Sequence, residues 1–246
     1  MTSIIETGHA KNVAVFDEIL IYLTGFGKDY SPSKASLAIE ALNGTCTSCK
    51  NAMYAVRTSN IGYKNAVDAR ELAFSQVSKL VTRVINTLKA SDVPPVSVQT
   101  ALAAARKIQG RRAKPKRTDE EKKADVEAGI DYREISASQR SFDSIIENFS
   151  FLTELLLNVS GYKPNEKDLQ TESLKALIED LKQKNSAAVS AQSALFDARA
   201  RRNDLLYKKE TGLVDIAMDI KAYVKGAFGS ESPQFKKISG LEFKRN

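Results

Sequence analysis

Histidine and cysteine are scarce in this 246-residue chain, which has one of the first and two of the second. The cysteines form Cys46-Thr-Ser-Cys49, the spacing of half a zinc knuckle or of a redox dithiol. Tetrahedral zinc needs two more thiolates or imidazoles, and His9 is the sole candidate, so the metal reading fails by count. A thioredoxin-like pair needs a strand-to-helix junction, whereas both thiols fall on the apolar stripe of a helix, where small buried hydrophobes are expected. His9 sits in a predicted N-terminal arm beside Gly8, and a surface or packing role is expected of it. No Gly-rich phosphate loop, nucleophile elbow or paired-carboxylate motif stands out. The expectation is a protein that is not an enzyme, with no catalytic residue, cofactor, metal or small-molecule substrate.

Charge is more informative. Arg106, Lys107, Arg111, Arg112, Lys114, Lys116 and Arg117 form a basic run, and from Arg106 to Lys123 nine lysines and arginines face three acids. Closely spaced cations neutralise a phosphate backbone without needing a fold, so this run is the candidate contact for an anionic partner. Interleaved aromatics for base stacking are missing, which makes any such binding independent of sequence; a solvated linker is the competing reading. Arg70 and Arg202 occupy equivalent positions on an apolar seam. Each must snorkel to solvent or pair with an acid such as Asp68, Glu71, Asp197 or Asp204, as a buried register pair at similar depth.

The elements that carry these residues are set by an internal match. Tyr30–Ala90 reads like Tyr162–Ala222 displaced by 132 residues without a gap, from Tyr30/Tyr162 and Pro32/Pro164 through Leu42/Leu174 and Arg70/Arg202 to Ala90/Ala222. Leu20/Leu152 and Leu23/Leu155 extend it upstream to 13 identities, which points to duplication. Each copy carries apolar residues at 3.5-residue spacing, among them Leu42, Cys46, Cys49, Met53 and Val56, and then Leu174, Ile178, Leu181 and Ala188. Proline-free stretches of about forty residues predict long helices.

The fold expected is all-α: an elongated antiparallel bundle built from two duplicated helical units. Its parts are an arm at 1–11, a first unit at 12–90, a linker with a short helix and the basic run at 91–140, a second unit at 141–229, and an extended tail at 230–246, the two units packing as one domain. Whether the third helix of each unit reverses or continues the long helix is open. Gly44 and Gly62 are expected to be tolerated within the first long helix, and Thr118 with Glu121 has the capping-box pattern. A hydrophobic content of 42% is ample for a core, and no apolar run reaches the roughly 18 to 20 residues of a membrane span. The N-terminus lacks a secretory pattern, which together with the two cysteines points to the cytoplasm. Net charge is +7, which permits an acidic partner without requiring one.

Thr7-Gly8-His9-Ala10-Lys11-Asn12-Val13, the Tyr-x-Pro loops, Thr211-Gly-Leu-Val-Asp and Ser232-Pro-Gln-Phe-Lys resemble an uncharacterised family of α-helical proteins from Bacteroidota-type bacteria across the whole chain. The resemblance implies a bacterial origin and brings no activity, cofactor or catalytic residue with it. The function expected is a structural or adaptor role through helix-mediated protein or self association. The alternative is sequence-independent nucleic-acid binding through the basic linker 106–117.

Overall fold

The computed structural model describes residues 4–111, 118–129 and 141–245. The chain is an all-α helical bundle, with no strand among the described residues. Its helices are α1 (Ile4–Gly25), α2 (Ile39–Ser75), α3 (Val77–Lys89), α4 (Pro95–Gln109), α5 (Asp119–Glu127), α6 (Phe142–Leu157), α7 (Thr171–Tyr207), α8 (Leu213–Phe228) and α9 (Pro233–Ser239). No described helix is long and apolar enough to cross a membrane.

Two compact units divide these elements, the first drawn from both ends of the sequence and the second from its middle. The first comprises Met1–Lys64 with Ala191–Asn246, the second Asn65–Ser190. In the first, Phe16, Ile19 and Leu23 of α1, Leu42, Cys46 and Cys49 of α2, Leu206 of α7 and Leu213, Ala217 and Ile220 of α8 share one core. In the second, Val81, Val84 and Leu88 of α3, Ala101 and Ala105 of α4, Phe149 and Leu152 of α6 and Leu174 and Leu181 of α7 share another. Apolar residues at helical spacing bury one stripe of the helices that share these cores, and their removal from water is the main stabilising term.

Corresponding elements keep the 132-residue displacement. The long helices α2 and α7 are each 37 residues and begin at Ile39 and Thr171. Each is preceded by a 3-10 turn, Ala35–Leu37 and Lys167–Leu169, so both helices start later than Ser33 and Asn165 suggest as caps. Val81, Val84, Ile85 and Leu88 of α3 are buried, as are their counterparts Leu213, Ile216, Ala217 and Ile220 of α8. Upstream the register slips by one residue. Val13, Phe16, Ile19 and Leu23 are buried in α1, and Ile146, Phe149, Leu152 and Leu156 in α6, a displacement of 133. Leu156 lies one residue nearer to Tyr162 than Leu23 lies to Tyr30, so the buried positions upstream do not follow the pairing of Leu20 with Leu152 and Leu23 with Leu155.

Other expectations are also revised. Residues 4–11 are not a loose arm but the start of α1, because the buried polar residues His9 and Asn12 find partners there. Helix α2 runs unbroken through Gly44 and Gly62. It then passes to α3 across Gln76 alone, whose φ of −91° and ψ of −14° stay helical, so the chain continues with a kink. Between α7 and α8 the chain turns instead, with Glu210 at φ 69° and its amide donating to the Asp215 carboxylate at 2.8 Å. The tail is not wholly extended, since Ser232 caps α9 and Pro233 opens it.

Candidate functional site

Charged side chains line concave surfaces in the second unit. One is a groove of about 720 Å³ between α6 and α7. Asp143, Glu147, Ser150, Phe151 and Glu154 recur at three- and four-residue spacing and so share one face of α6, while Lys182, Asn185, Ser186 and Val189 do the same on α7. Phe151 is 50% exposed and Val189 57%, a substantial apolar surface left in water. Glu147 and Glu154 make no ion pair among the described residues, and Lys182 pairs with Glu179 at 2.7 Å.

A polar relay closes one end of this groove. Arg70 lies with its guanidinium 4.1 Å from the Phe142 ring centroid and donates from Nη1 to Asn185 Oδ1 at 3.2 Å. Asn185 donates in turn to Asp143 Oδ1 at 2.7 Å. Phe142 is held edge-on by Phe74 at 4.7 Å. The cation-π contact supports a guanidinium whose buried Nε has no hydrogen-bond partner among the described residues. Asp68 and Glu71 are exposed, and Arg70 pairs with no carboxylate among the described residues, so of the two expected alternatives the acid pair is not the one seen. Arg202 is buried in the first unit, and its Nε and Nη2 donate to Asn203 Oδ1 at 3.2 and 3.0 Å. Arg70 is only partly buried, so the two arginines do not lie at equal depth.

A second surface is a cleft of about 210 Å³ between α3 and α4, lined by Thr82, Asn86, Lys89, Arg106, Gln109 and Arg111 over a floor that includes Ile85 and Ala105. Of the basic run, Arg106 and Arg111 thus come together with Lys89, a residue the sequence pattern did not single out. Lys107 faces a separate groove between α4 and α6 beside Glu147, Asn148 and Phe151. Arg112, Lys114, Lys116 and Arg117 lie outside the described residues.

The chemistry of the thiols is muted. Burial pushes the Cys49 thiol up to about 11, and burial with a hydrogen bond to Asp17 raises that of Cys46, so both stay protonated at neutral pH. His9 is fully buried, its Nδ1 2.7 Å from the Tyr207 hydroxyl. Asn12 clamps the tail there, donating to the Lys244 carbonyl at 2.7 Å and accepting from the Lys244 amide at 2.9 Å. No cluster of three or more His, Cys, Asp or Glu is placed to hold a metal among the described residues.

Comparison with protein-family models, with curated proteins and with solved structures finds no match.

Proposed function

We propose that the protein is a non-enzymatic helical adaptor that takes an amphipathic helix with basic flanks into the groove between α6 and α7. The observation that carries this is the joint exposure of Phe151 and Val189 beside the carboxylates of Glu147 and Glu154, which make no ion pair among the described residues. An apolar strip bordered by negative charge is complementary to a helix with apolar positions at i, i+3 and i+7 and lysine or arginine alongside. The protonated thiols and the buried His9 support a role without catalysis. Fluorescence anisotropy with two series of helical peptides, equal in apolar content and flanked by lysine or by glutamate, tests the reading. The lysine series should bind, and Phe151→Asp with Val189→Asp should abolish that binding without lowering the melting temperature. Equal binding by both series, or by neither, overturns it. Sedimentation equilibrium shows whether a second copy is the occupant, as a dimer lost in the same double variant.

A second reading, sequence-independent nucleic-acid binding through the basic run, is favoured by the convergence of Arg106 and Arg111 on one cleft with Lys89. Two further proposals concern origin. The equal lengths of α2 and α7 and their 132-residue displacement support an internal duplication, and the family resemblance supports a bacterial source.

A further inference from the structure

We propose that the cleft between α3 and α4 is a seat for a phosphate group, held by Lys89, Arg106 and Arg111. The inference deepens the nucleic-acid reading and rests on the same anion chemistry, but it assigns the contact to a folded site and not to the linker.

Thr82, Ile85, Asn86 and Lys89 share one face of α3, and Leu102, Ala105, Arg106 and Gln109 share the facing side of α4. Gln109 ties the two helices, its Nε2 donating to the Ser78 carbonyl at 3.1 Å and to Thr82 Oγ1 at 2.8 Å. Arg111 enters the same cleft because Gly110 adopts φ 64°, the left-handed conformation that favours glycine. The Arg111 amide then bonds back to the Arg106 carbonyl at 2.8 Å. That closure gives the Arg106 and Lys107 carbonyls main-chain donors, so the basic side chains are not needed to cap those two groups.

The result is three cations around one concavity, with no carboxylate among the described residues that line it. Lys89, Arg106 and Arg111 make no ion pair or side-chain hydrogen bond among the described residues, and the amide of Asn86 is also without a partner there. Gathered like charges repel and gain nothing for the fold unless an anion joins them. The cleft is smaller than the roughly 300 Å³ at which small-molecule pockets begin, so it fits a phosphate group and not a whole nucleotide. No aromatic side chain lines it among the described residues, which leaves the phosphate and not a stacked base as the feature read. A nucleic-acid backbone and a free polyphosphate offer the same group.

The test uses the full chain in three forms: wild type, the cleft variant Lys89→Gln/Arg106→Gln/Arg111→Gln, and a charge-matched control, Lys163→Gln/Lys167→Gln/Lys175→Gln. Thermal melts establish that all three are folded. Anisotropy with labelled 20-nucleotide single-stranded DNA and RNA is measured between about 50 and 200 mM salt, and calorimetry is run with inorganic tripolyphosphate. The seat predicts that the cleft variant loses about tenfold or more in oligonucleotide affinity, with a salt slope lower by about two to three, while the control binds as wild type. Equal losses in both variants would mean that net charge alone matters and would overturn the seat. If the cleft variant binds fully and only neutralising Arg112, Lys114, Lys116 and Arg117 abolishes binding, the seat is wrong and the nucleic-acid reading stands. Tripolyphosphate heat that is lost in the cleft variant, with no oligonucleotide binding, keeps the seat and removes nucleic acid. Silence of wild type to every probe at low salt removes both.

Discussion

Tyr30 and Tyr162 show how one residue type does the same work twice. Each is buried, and each hydroxyl donates to a carbonyl seven residues on, Leu37 at 2.8 Å and Leu169 at 2.9 Å, pinning the loop that leads into a long helix. Burial pushes both phenols up to about 12 from an ordinary 10.0. The raised value in the folded state means that this contribution to stability is fully present below pH 10 and is lost as pH climbs toward 12, because the unfolded chain releases its proton first. Tyr30→Phe and Tyr162→Phe should each cost about 1 kcal/mol at neutral pH, the worth of one hydrogen bond. Each should also flatten the alkaline limb of the stability curve between pH 10 and 12, which chemical denaturation at stepped pH will show. An alkaline limb unchanged in the double variant would put the phenols outside this linkage. Gly161, beside Tyr162, is required for a different reason. A Cβ there would lie 2.1 Å from the Asp92 carbonyl oxygen and 3.1 Å from a Val93 methyl, so the two loops touch through main chain. Gly161→Ala should lower stability by about 1–3 kcal/mol, measured by urea unfolding, since a carbonyl cannot give way as a flexible side chain does.

At the scale of the element, the long helices were legible because Leu42, Cys46, Cys49 and Val56, and Leu174, Ile178, Leu181 and Ala188, fall at the spacing that buries one stripe. Helix α1 was legible only from Val13 onward. His9 and Asn12 break the apolar pattern, and their burial depends on Tyr207 and on the Lys244 main chain, partners about two hundred residues away. Helix α9 carried a readable start in Ser232-Pro233, but its spaced apolar residues also fit an extended strap. Of the α3/α4 cleft, only the basic residues on and just after α4 could be read. Lys89 and Asn86 join them through antiparallel packing of two helices, and Arg111 through the conformation of Gly110, neither of which periodicity encodes. The groove between α6 and α7 is a tertiary feature of the same kind. Within α2, Gly44 and Gly62 have nothing within 4 Å of where a Cβ would stand. Replacing either with alanine should therefore raise stability by about 0.5–1 kcal/mol, through helix propensity and a less flexible unfolded chain. A melting temperature unchanged or lowered in both variants would show that these glycines are needed for something other than the helix.

For the whole molecule, the pairing between the two sequence halves has a charge pattern of its own. In the first unit Lys34, ahead of α2, meets Asp219 of α8 at 2.5 Å. In the second, Arg83 of α3 bonds Asp168, from the turn ahead of α7, through both of its terminal nitrogens, with the longer contact at 3.3 Å. Each pair therefore joins the third helix of one half to the pre-helix loop of the other, and the signs are reversed between the two units. In the 132-residue register Asp219 corresponds to Thr87, Arg83 to Asp215 and Lys34 to Glu166, so if each half paired with its own kind, Lys34 would face the uncharged Thr87, while Glu166 and Asp168 would confront Asp219 and Asp215. On the duplication reading, such divergence holds the halves to mutual pairing, as complementary charges do between coiled-coil partners. Both pairs are solvent-exposed, so each contributes only about 0–1 kcal/mol, and discrimination comes from the repulsion that the wrong pairing would bring. A double-mutant cycle isolates the coupling. Asp219→Lys, which sets two lysines face to face, should lower stability by about 0.5–1 kcal/mol at low salt, and Lys34→Asp added to it should restore most of that loss. Raising the salt should shrink the difference among the variants, as screening demands of an exposed pair. If the double variant instead falls by the sum of the two single losses, Lys34 and Asp219 are neighbours without coupling, and selection between the halves must lie in the apolar cores.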